Sequence, residues 1–300
     1  MYKKILVTGV NGQVGHALQH LFSGEKSLAN IVVGLDRSQL DLTSADEIRR
    51  VIQTIKPDLI INPAAYTAVD KAEIEPELAF AINSTAPQIL AEEAEKIGAK
   101  LIHFSTDYVY SGSKLSAYVE DDATEPLSVY GKSKLAGEDA IRAVGLPHLI
   151  LRTSWVYGAY GKNFLKTILR LAAERDELRI VADQIGAPTS VSSVADAVFA
   201  VMNRWQGEPA GVYHLVNAGQ TSWHGFATAI VEEYQRLQST RSWPSLKVKP
   251  ENIQAITSLE FPTPTVRPVN SCLDCTKLKS DFAVELTDWR DALVTELQCL

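Results

Sequence analysis

A short apolar run followed by glycines constrains this chain more than any other feature. Residues 5–7 predict a buried strand, because the run is too brief for a helix and glycine soon ends it. Gly9, Gly12 and Gly15 follow with the spacing GxxGxxG, and residues 16–22 continue as a predicted helix. Backbone N–H groups and the helix dipole at such a helix start hold a pyrophosphate where no side chain intervenes. Taken alone, the pattern fits a tight turn rich in glycine equally well.

The next predicted strand, residues 31–36, favours the first of these interpretations. It ends in Asp36, which follows Gly15 by twenty-one residues. A carboxylate about that far along a βαβ unit hydrogen-bonds the ribose of a bound dinucleotide. Arg37 stands beside it and is placed to pair with a 2′-phosphate. We therefore predict that this part of the chain binds NADPH or NADH, with no strong preference between them.

Strand and helix patterns alternate along the first half of the chain, which is typical of a parallel sheet with right-handed crossovers. We predict an α/β fold in which residues 1–152 form a Rossmann-type, doubly wound parallel sheet. Residues 153–300 form a smaller C-terminal substrate lobe, some segments of which pack back on the sheet. Five prolines between residues 243 and 268 predict irregular backbone there. Further strands of the sheet are predicted at residues 59–61, 100–105 and 148–152.

Composition excludes several classes of partner. With 300 residues, 46% of them hydrophobic, the chain can bury a large core. Its net charge of −7 argues against a nucleic acid or an anionic membrane as the main partner. We find neither a signal-peptide core nor a run of membrane-spanning length, and we expect a cytoplasmic protein. Its three cysteines suggest no disulfide framework, and Cys272-x-x-Cys275 is interpreted as a pair of ordinary thiols.

Tyr130 and Lys134 form the candidate catalytic pair. Their i, i+4 spacing places both side chains on one face of a predicted helix. A phenol titrates near pH 10, and an ammonium held nearby favours the phenolate and lowers that pKa. Thr106, at the end of the preceding strand, can offer a hydroxyl to the reacting oxygen. Most YxxxK pairs lie on helix surfaces, so the motif gains its weight from its position after a dinucleotide-binding turn.

Three motifs together resemble the extended short-chain dehydrogenase/reductase superfamily. They are TGxxGxxG at residues 8–15, Ser-Thr-Asp at residues 105–107, and the YxxxK motif at residues 130–134. Within that superfamily, strings along nearly the whole chain are similar to the dTDP-4-dehydrorhamnose reductase family. These strings lie at residues 62–73, 105–110, 129–138, 152–157, 183–189, 211–215 and 267–271.

The resemblance implies a reaction, in which the 4-keto group of dTDP-4-dehydro-L-rhamnose is reduced to give dTDP-L-rhamnose. Tyr130 would protonate the developing alkoxide as hydride leaves the nicotinamide, Lys134 would hold the ribose, and Thr106 would assist. Thr106, Asp107 and Trp155 would touch the nucleotide-sugar substrate, although a buried aromatic is an equally good interpretation of Trp155. The predicted cofactor-binding residues are Gly9, Asn11, Gly12, Gln13, Val14, Gly15, Asp36, Arg37, Asp41, Leu42, Ala64, Ala65, Tyr66, Tyr130 and Lys134.

Two other functions fit the same superfamily. A nucleotide-sugar epimerase or dehydratase would use the same scaffold, but a dehydratase usually places Asp-Glu after the strand-end threonine, and here Tyr108 follows Asp107. The second alternative is a non-catalytic regulatory subunit, similar to the one that partners methionine adenosyltransferase. The presence of Thr106, Tyr130 and Lys134 argues against this interpretation.

One departure from the family concerns a metal. Some members form a dimer bridged by Mg²⁺, which glutamates of both subunits hold. The matching positions here are Ala17, Ser192 and Glu296, so one carboxylate remains. A hard cation with a single carboxylate ligand would depend on water for the rest of its shell. Asp196 is an acid near the second position. We predict no metal, and a monomer or a dimer without a metal bridge.

Overall fold

The computed structural model describes residues 2–28, 30–238 and 241–300, and strands alternate with helices through its first half. Within these residues, no helix is both long and apolar enough to cross a bilayer. The elements of the first half are β1 (Ile5–Thr8), α1 (Gln13–Gly24), β2 (Val32–Leu35), α2 (Ala45–Ile55), β3 (Leu59–Asn62), α3 (Val69–Ala72), α4 (Pro76–Phe80), α5 (Ala86–Lys96), β4 (Lys100–Thr106), α6 (Val129–Val144) and β5 (His148–Thr153).

The second half has shorter strands and less regular alternation. Its elements are β6 (Val156–Tyr157), α7 (Phe164–Glu174), β7 (Leu178–Val181), β8 (Ile185–Gly186), β9 (Thr189–Ser190), α8 (Val191–Arg204), β10 (Gly211–His214), β11 (Thr221–Ser222), α9 (Trp223–Gln238), β12 (Ile253–Ile256), β13 (Asn270–Ser271), α10 (Thr276–Phe282) and α11 (Trp289–Gln298).

Six strands form the central sheet in the order β10-β5-β4-β3-β1-β2, and each neighbouring pair is parallel. This confirms the predicted Rossmann-type, doubly wound sheet. The chain order of the strands reverses between β1 and β3. In open α/β sheets of this kind, ligands bind outside the carboxyl ends of the strands at that reversal.

Helices cover both faces of the sheet because side chains alternate along each buried strand. In β1, Ile5 and Val7 pack in one layer with Leu18 of α1 and Val198 of α8. Leu6 points the other way, into a layer formed with α2, α5 and α6. The sheet is therefore buried on both faces, which leaves its carboxyl edge as the place where ligands bind in sheets of this kind.

The second half of the chain contributes to this sheet as well as to a separate lobe. β10 extends the sheet beyond β5, and α8 packs against α1 in the first layer. The rest forms a lobe whose core lies mainly between α7, α9 and α11. A division at residue 152 into a dinucleotide-binding part and a substrate lobe stays a proposal, in which α8 and β10 cross back to the sheet.

One sequence-based expectation needs correction. The stretch from residue 243 to 268 is not irregular throughout, because β12 pairs in parallel with β7. Pro250 and Pro262 flank β12, so no proline removes a hydrogen bond of the pair. Between α4 and α5, residues 81–85 form a π-helical turn, so residues 76–96 are helical without a break.

A buried ion pair joins α6 to the carboxyl ends of β4 and β5. Arg152 donates from Nε and Nη2 to the Glu138 carboxylate over 2.9 and 2.6 Å. Ser105 donates its hydroxyl to the same carboxylate over 2.5 Å, and Arg152 also donates to the Tyr110 hydroxyl. Both charged side chains are fully buried. The network positions the strand end that carries Thr106.

Arg152→Met tests this network. Because the Glu138 carboxylate would stay buried without its cation, we expect a loss of about 3–5 kcal/mol in the free energy of unfolding. Arg142→Met is the control, because Arg142 is an exposed arginine that pairs with Asp139 on the same helix, and it should lose less than about 1 kcal/mol. Urea unfolding measures both. Equal losses would contradict a structural role for the buried pair.

Candidate active site

A cleft of about 820 Å³ lies along the carboxyl ends of the sheet strands. Every residue predicted to contact cofactor or substrate lines it, although the role of each stays a prediction. The lining includes Gly9, Asn11, Gly12, Gln13, Val14, Gly15, Asp36, Arg37, Asp41, Leu42, Ala64, Ala65, Tyr66, Thr106, Asp107, Tyr130, Lys134 and Trp155.

One end of the cleft is formed by the glycine turn between β1 and α1. Gly9 has φ +59°, and a Cβ there would lie 2.8 Å from the Cβ of Ala64. A Cβ on Gly15 would lie 2.3 Å from the carbonyl oxygen of Gly9, so only glycine lets α1 approach the strand this closely. No side chain caps the start of α1. Its first N–H groups are therefore available to an anion, which fits the pyrophosphate of a dinucleotide.

The end of β2 adds a carboxylate to this part of the cleft. Asp36 accepts hydrogen bonds from the Ser38 hydroxyl and backbone N–H, over 2.6 and 2.8 Å, and from Asn11 over 2.9 Å. These bonds, with those of Ser38 the strongest, lower the pKa of Asp36. Asp36 is therefore an ionised acceptor for ribose hydroxyls. Arg37 beside it is exposed and offers the opposite charge.

The other end of the cleft carries Tyr130. Burial raises the pKa of Tyr130, and a hydrogen bond with Thr106 opposes that shift. The neighbouring charge of Asp107 raises the pKa further. This direction is the opposite of the one expected from Lys134, because burial disfavours the charged phenolate. Tyr130 is consequently a protonated phenol at neutral pH.

Lys134 lies one turn along α6 and is 2% exposed. Its Nζ donates to the carbonyl oxygen of Phe104 over 2.6 Å and lies 3.2 Å from Nε2 of His103. Burial lowers the pKa of Lys134 to about 8, and the charge of Glu138 opposes that shift. At neutral pH the ammonium form therefore predominates, but its proton is more easily lost than that of a surface lysine.

Asp107 lies directly beside this pair. Burial raises the pKa of its carboxyl to about 6, against hydrogen bonds from Ser271 and Thr106. The Thr106 hydroxyl donates to Oδ1 over 3.0 Å, whereas the buried Oδ2 has no hydrogen-bond partner among the described residues. A carboxylate oxygen that lacks a partner is suited to accept a hydrogen bond from a hydroxyl of a bound sugar.

Trp155 lines the cleft and is also packed within the second half of the chain. Its backbone has φ +49°, which is unusual for a bulky side chain. The ring stacks on Trp223 with centroids 3.6 Å apart, and a Cβ on Gly186 would lie 2.7 Å from it. The ring is thus half-buried and forms a wall of the cleft, and its contact with a substrate stays a prediction.

Sequence reasoning missed other parts of the cleft. Residues 161–163 line it from the second half, where the Asn163 amide donates to Gln13 of α1 over 2.8 Å. Asn163 also caps α7. An asparagine directly before an amphipathic helix is the sequence signal that could have pointed to this position. Thr153 at the end of β5 lines the cleft as well, beside Thr106 in the sheet register.

Of the three positions matched to the family's metal site, Ser192 and Glu296 are hydrogen-bonded to each other here. Glu296 is 3% exposed and accepts hydrogen bonds from the backbone of Ala159 and of Ser192, each over 3.0 Å. The Ser192 hydroxyl donates to it as well. Among residues 2–28, 30–238 and 241–300, no three histidines, cysteines or acids are grouped as metal ligands. The absence of a metal stays a prediction.

Comparison with known proteins places the chain in a family. A family model described as the RmlD substrate binding domain matches residues 3–300. The dTDP-4-dehydrorhamnose reductase of Burkholderia thailandensis is 44% identical over 298 residues, which cover 97% of this chain and 96% of that protein. This chain belongs to the dTDP-4-dehydrorhamnose reductase family. The resemblance found in its motifs is therefore confirmed.

Further members of the reductase family agree with this assignment. The dTDP-4-dehydrorhamnose reductase of Escherichia coli K12 is 41% identical over 288 residues, covering 95% of this chain and 94% of that protein. A crystal structure of the Bacillus anthracis dTDP-4-dehydrorhamnose reductase in complex with NADP superposes with a TM-score of 0.90 at 34% identity, and the match covers all of both chains. This chain therefore shares the fold of that structure over its whole length.

Arg37→Ala tests the cofactor end of the cleft. If Arg37 pairs with a 2′-phosphate, its loss should lower kcat/KM for NADPH several-fold more than for NADH, because only NADPH carries that charge. The matched control is Arg50→Ala, an exposed arginine on α2 outside the cleft. Steady-state kinetics with both cofactors measures the ratio. A ratio that does not change would make Arg37 a surface charge only.

Proposed function

We propose that this chain reduces the 4-keto group of dTDP-4-dehydro-L-rhamnose to the alcohol of dTDP-L-rhamnose, with NADPH or NADH as hydride donor. The observation that carries the proposal is the meeting of Thr106, Tyr130 and Lys134 at one end of a cleft whose other end is the glycine turn. Membership of the reductase family supports the substrate. The NADP in the Bacillus anthracis structure supports the cofactor.

The bound cofactor supplies the hydride, and this chain's residues hold it. The N–H groups at the start of α1 and the Asp36 carboxylate are the groups that fit its pyrophosphate and ribose. Lys134 fits the ribose on the nicotinamide side, because its ammonium has a donor to spare beyond the bond to Phe104.

Tyr130 supplies the proton in this mechanism. Its burial keeps the phenol protonated until an alkoxide forms on the sugar, and an alkoxide is far more basic than a phenolate. The Thr106 hydroxyl lies within hydrogen-bonding distance of Tyr130 and can orient the same sugar oxygen. Once the proton has moved, the Lys134 ammonium favours the phenolate electrostatically. Asp107 and Trp155 complete the proposed sugar site.

Tyr130→Phe tests the proton donor. The variant keeps the ring but loses the proton, so turnover should fall by at least roughly 10²–10⁴-fold while cofactor affinity stays nearly unchanged. Lys134→Ala should weaken both, because Lys134 contacts ribose and tyrosine in this mechanism. Oxidation of NAD(P)H on addition of a dTDP-4-keto sugar is the assay.

Tyr234→Phe is the control for Tyr130→Phe, because the Tyr234 hydroxyl donates to the Pro244 carbonyl oxygen in the C-terminal lobe, away from the cleft. Near-normal turnover in Tyr130→Phe would remove Tyr130 from the mechanism. Wild-type protein that oxidises no NAD(P)H with the keto sugar would contradict the proposed function itself.

We also propose a monomer, or a dimer without a metal bridge, in a cytoplasmic enzyme. The absence of a metal bridge is supported by the Glu296 carboxylate, because both of its oxygens already accept hydrogen bonds from Ser192 and Ala159. Sedimentation in EDTA and in millimolar Mg²⁺ should give the same molecular mass. A dimer that forms with Mg²⁺ and dissociates with the chelator would show that the site binds metal after all.

A further inference from the structure

Four buried side chains form a continuous row of hydrogen bonds beneath the cleft. The Thr8 hydroxyl donates to Oδ1 of Asn62 over 2.6 Å, and Nδ2 of Asn62 lies 3.0 Å from Nδ1 of His103. Nε2 of His103 lies 3.2 Å from Nζ of Lys134. The first three side chains are 0% exposed and Lys134 is 2% exposed. The row crosses β1, β3 and β4, and it ends at a residue of the proposed mechanism.

The direction of these bonds decides the tautomer of His103. When Asn62 accepts from Thr8, its amide nitrogen must donate to Nδ1 of His103. A neutral imidazole then carries its proton on Nε2 and donates toward Lys134. Only an uncharged amine can accept that proton. This arrangement therefore belongs to the neutral form of Lys134.

The charged form of Lys134 requires the reverse arrangement. An ammonium has only donors, so Nε2 of His103 must accept and the imidazole proton must move to Nδ1. Nδ1 then donates to the amide oxygen of Asn62, which requires the amide to turn over. The Thr8 hydroxyl can follow, because a hydroxyl both donates and accepts. The imidazole stays neutral in both arrangements, and burial together with Lys134 holds the pKa of His103 well below 6.5.

We propose that His103 is a positioning residue for Lys134. The tautomer of the His103 imidazole changes when the lysine amine gains or loses its proton. In this way the buried Nζ keeps a partner on the imidazole side in both protonation states. A buried polar group without a partner is costly, and a charged one more so. The row of hydrogen bonds does not depend on the proposed function. Only the expected effect of His103 on turnover rests on that function.

Few other groups act on this lysine. The titratable and charged groups that face Lys134 are His103 from β4, with Tyr130 and Glu138 from its own helix. Arg152 of β5 pairs with that glutamate, and Asp107 from the turn after β4 lies beside Tyr130. Of these, only Glu138 acts on the pKa of Lys134 through its charge. Among the described residues, the other segments packed on α6 contribute no charge that shifts it.

The direct test is an NMR titration of the wild-type protein labelled with ¹⁵N in histidine rings and ¹³C at lysine Cε. Lys134→Met and His103→Gln assign the two signals. We expect His103 to be the Nδ1–H tautomer where Lys134 is charged and the Nε2–H tautomer above the lysine midpoint, with the two midpoints coinciding. A His103 tautomer that does not change while Lys134 titrates would overturn the proposal. This readout needs no turnover, so it stands apart from the proposed reaction.

His103→Leu adds a functional measurement. Loss of an acceptor for the ammonium should lower the pKa of Lys134 by about one unit or more, because hydrogen bonds to charged groups are the stronger ones. The alkaline limb of kcat/KM should move down by the same amount, and His103→Gln should restore most of it. His148→Leu is the matched control, because His148 is buried at the opposite end of neighbouring β5 and bonds the Leu146 carbonyl oxygen over 2.9 Å.

A pKa of Lys134 in His103→Leu equal to that of the wild type would contradict the proposal. If His103→Leu does not fold, the tautomer titration of the wild-type protein decides the question by itself. If the protein shows no reductase activity while the tautomer follows Lys134, the proposed reaction fails and the positioning role of His103 stands.

Discussion

The carboxyl ends of parallel strands meet at one edge of the sheet, and the whole site depends on that constraint. β1 brings the glycine turn, β2 brings Asp36, and β4 brings Thr106 and Asp107. Side chains separated by tens of residues in the chain therefore share one cleft. Helices cover both faces of the sheet, so the cleft lies at its carboxyl edge and not on a face.

Burial, rather than neighbouring charge, sets the titration of Tyr130 and Lys134, the candidate catalytic pair. Moving a phenolate or an ammonium out of water disfavours the charged form in both cases. The pKa of Tyr130 therefore rises and that of Lys134 falls, so the two values move apart. This suits a reductase, which needs a phenol that gives up its proton only to a strong base. It also makes the partners of Lys134 important, because a buried ammonium depends on each acceptor that it has.

The second half of the chain closes the cleft as well as forming a lobe of its own. The bond from Asn163 to Gln13 links it to α1, and within this half the stack of Trp155 on Trp223 holds a wall of the cleft. β10 and α8 return to the sheet and complete its core. Residues of both halves consequently line the cleft.

The sequence by itself determined the α/β class, the strands of the first half and the motif residues of the cleft, because these follow from local periodicity and glycine spacing. It also predicted the YxxxK pair and the family. Tertiary structure decided the direction of the Tyr130 pKa shift, since burial and distance are not local properties. It alone placed β12 within a proline-rich stretch, stacked Trp223 on Trp155 and brought Asn163 to the cleft. The row from Thr8 to His103 was equally hidden, because its members come from three strands that only the sheet register aligns.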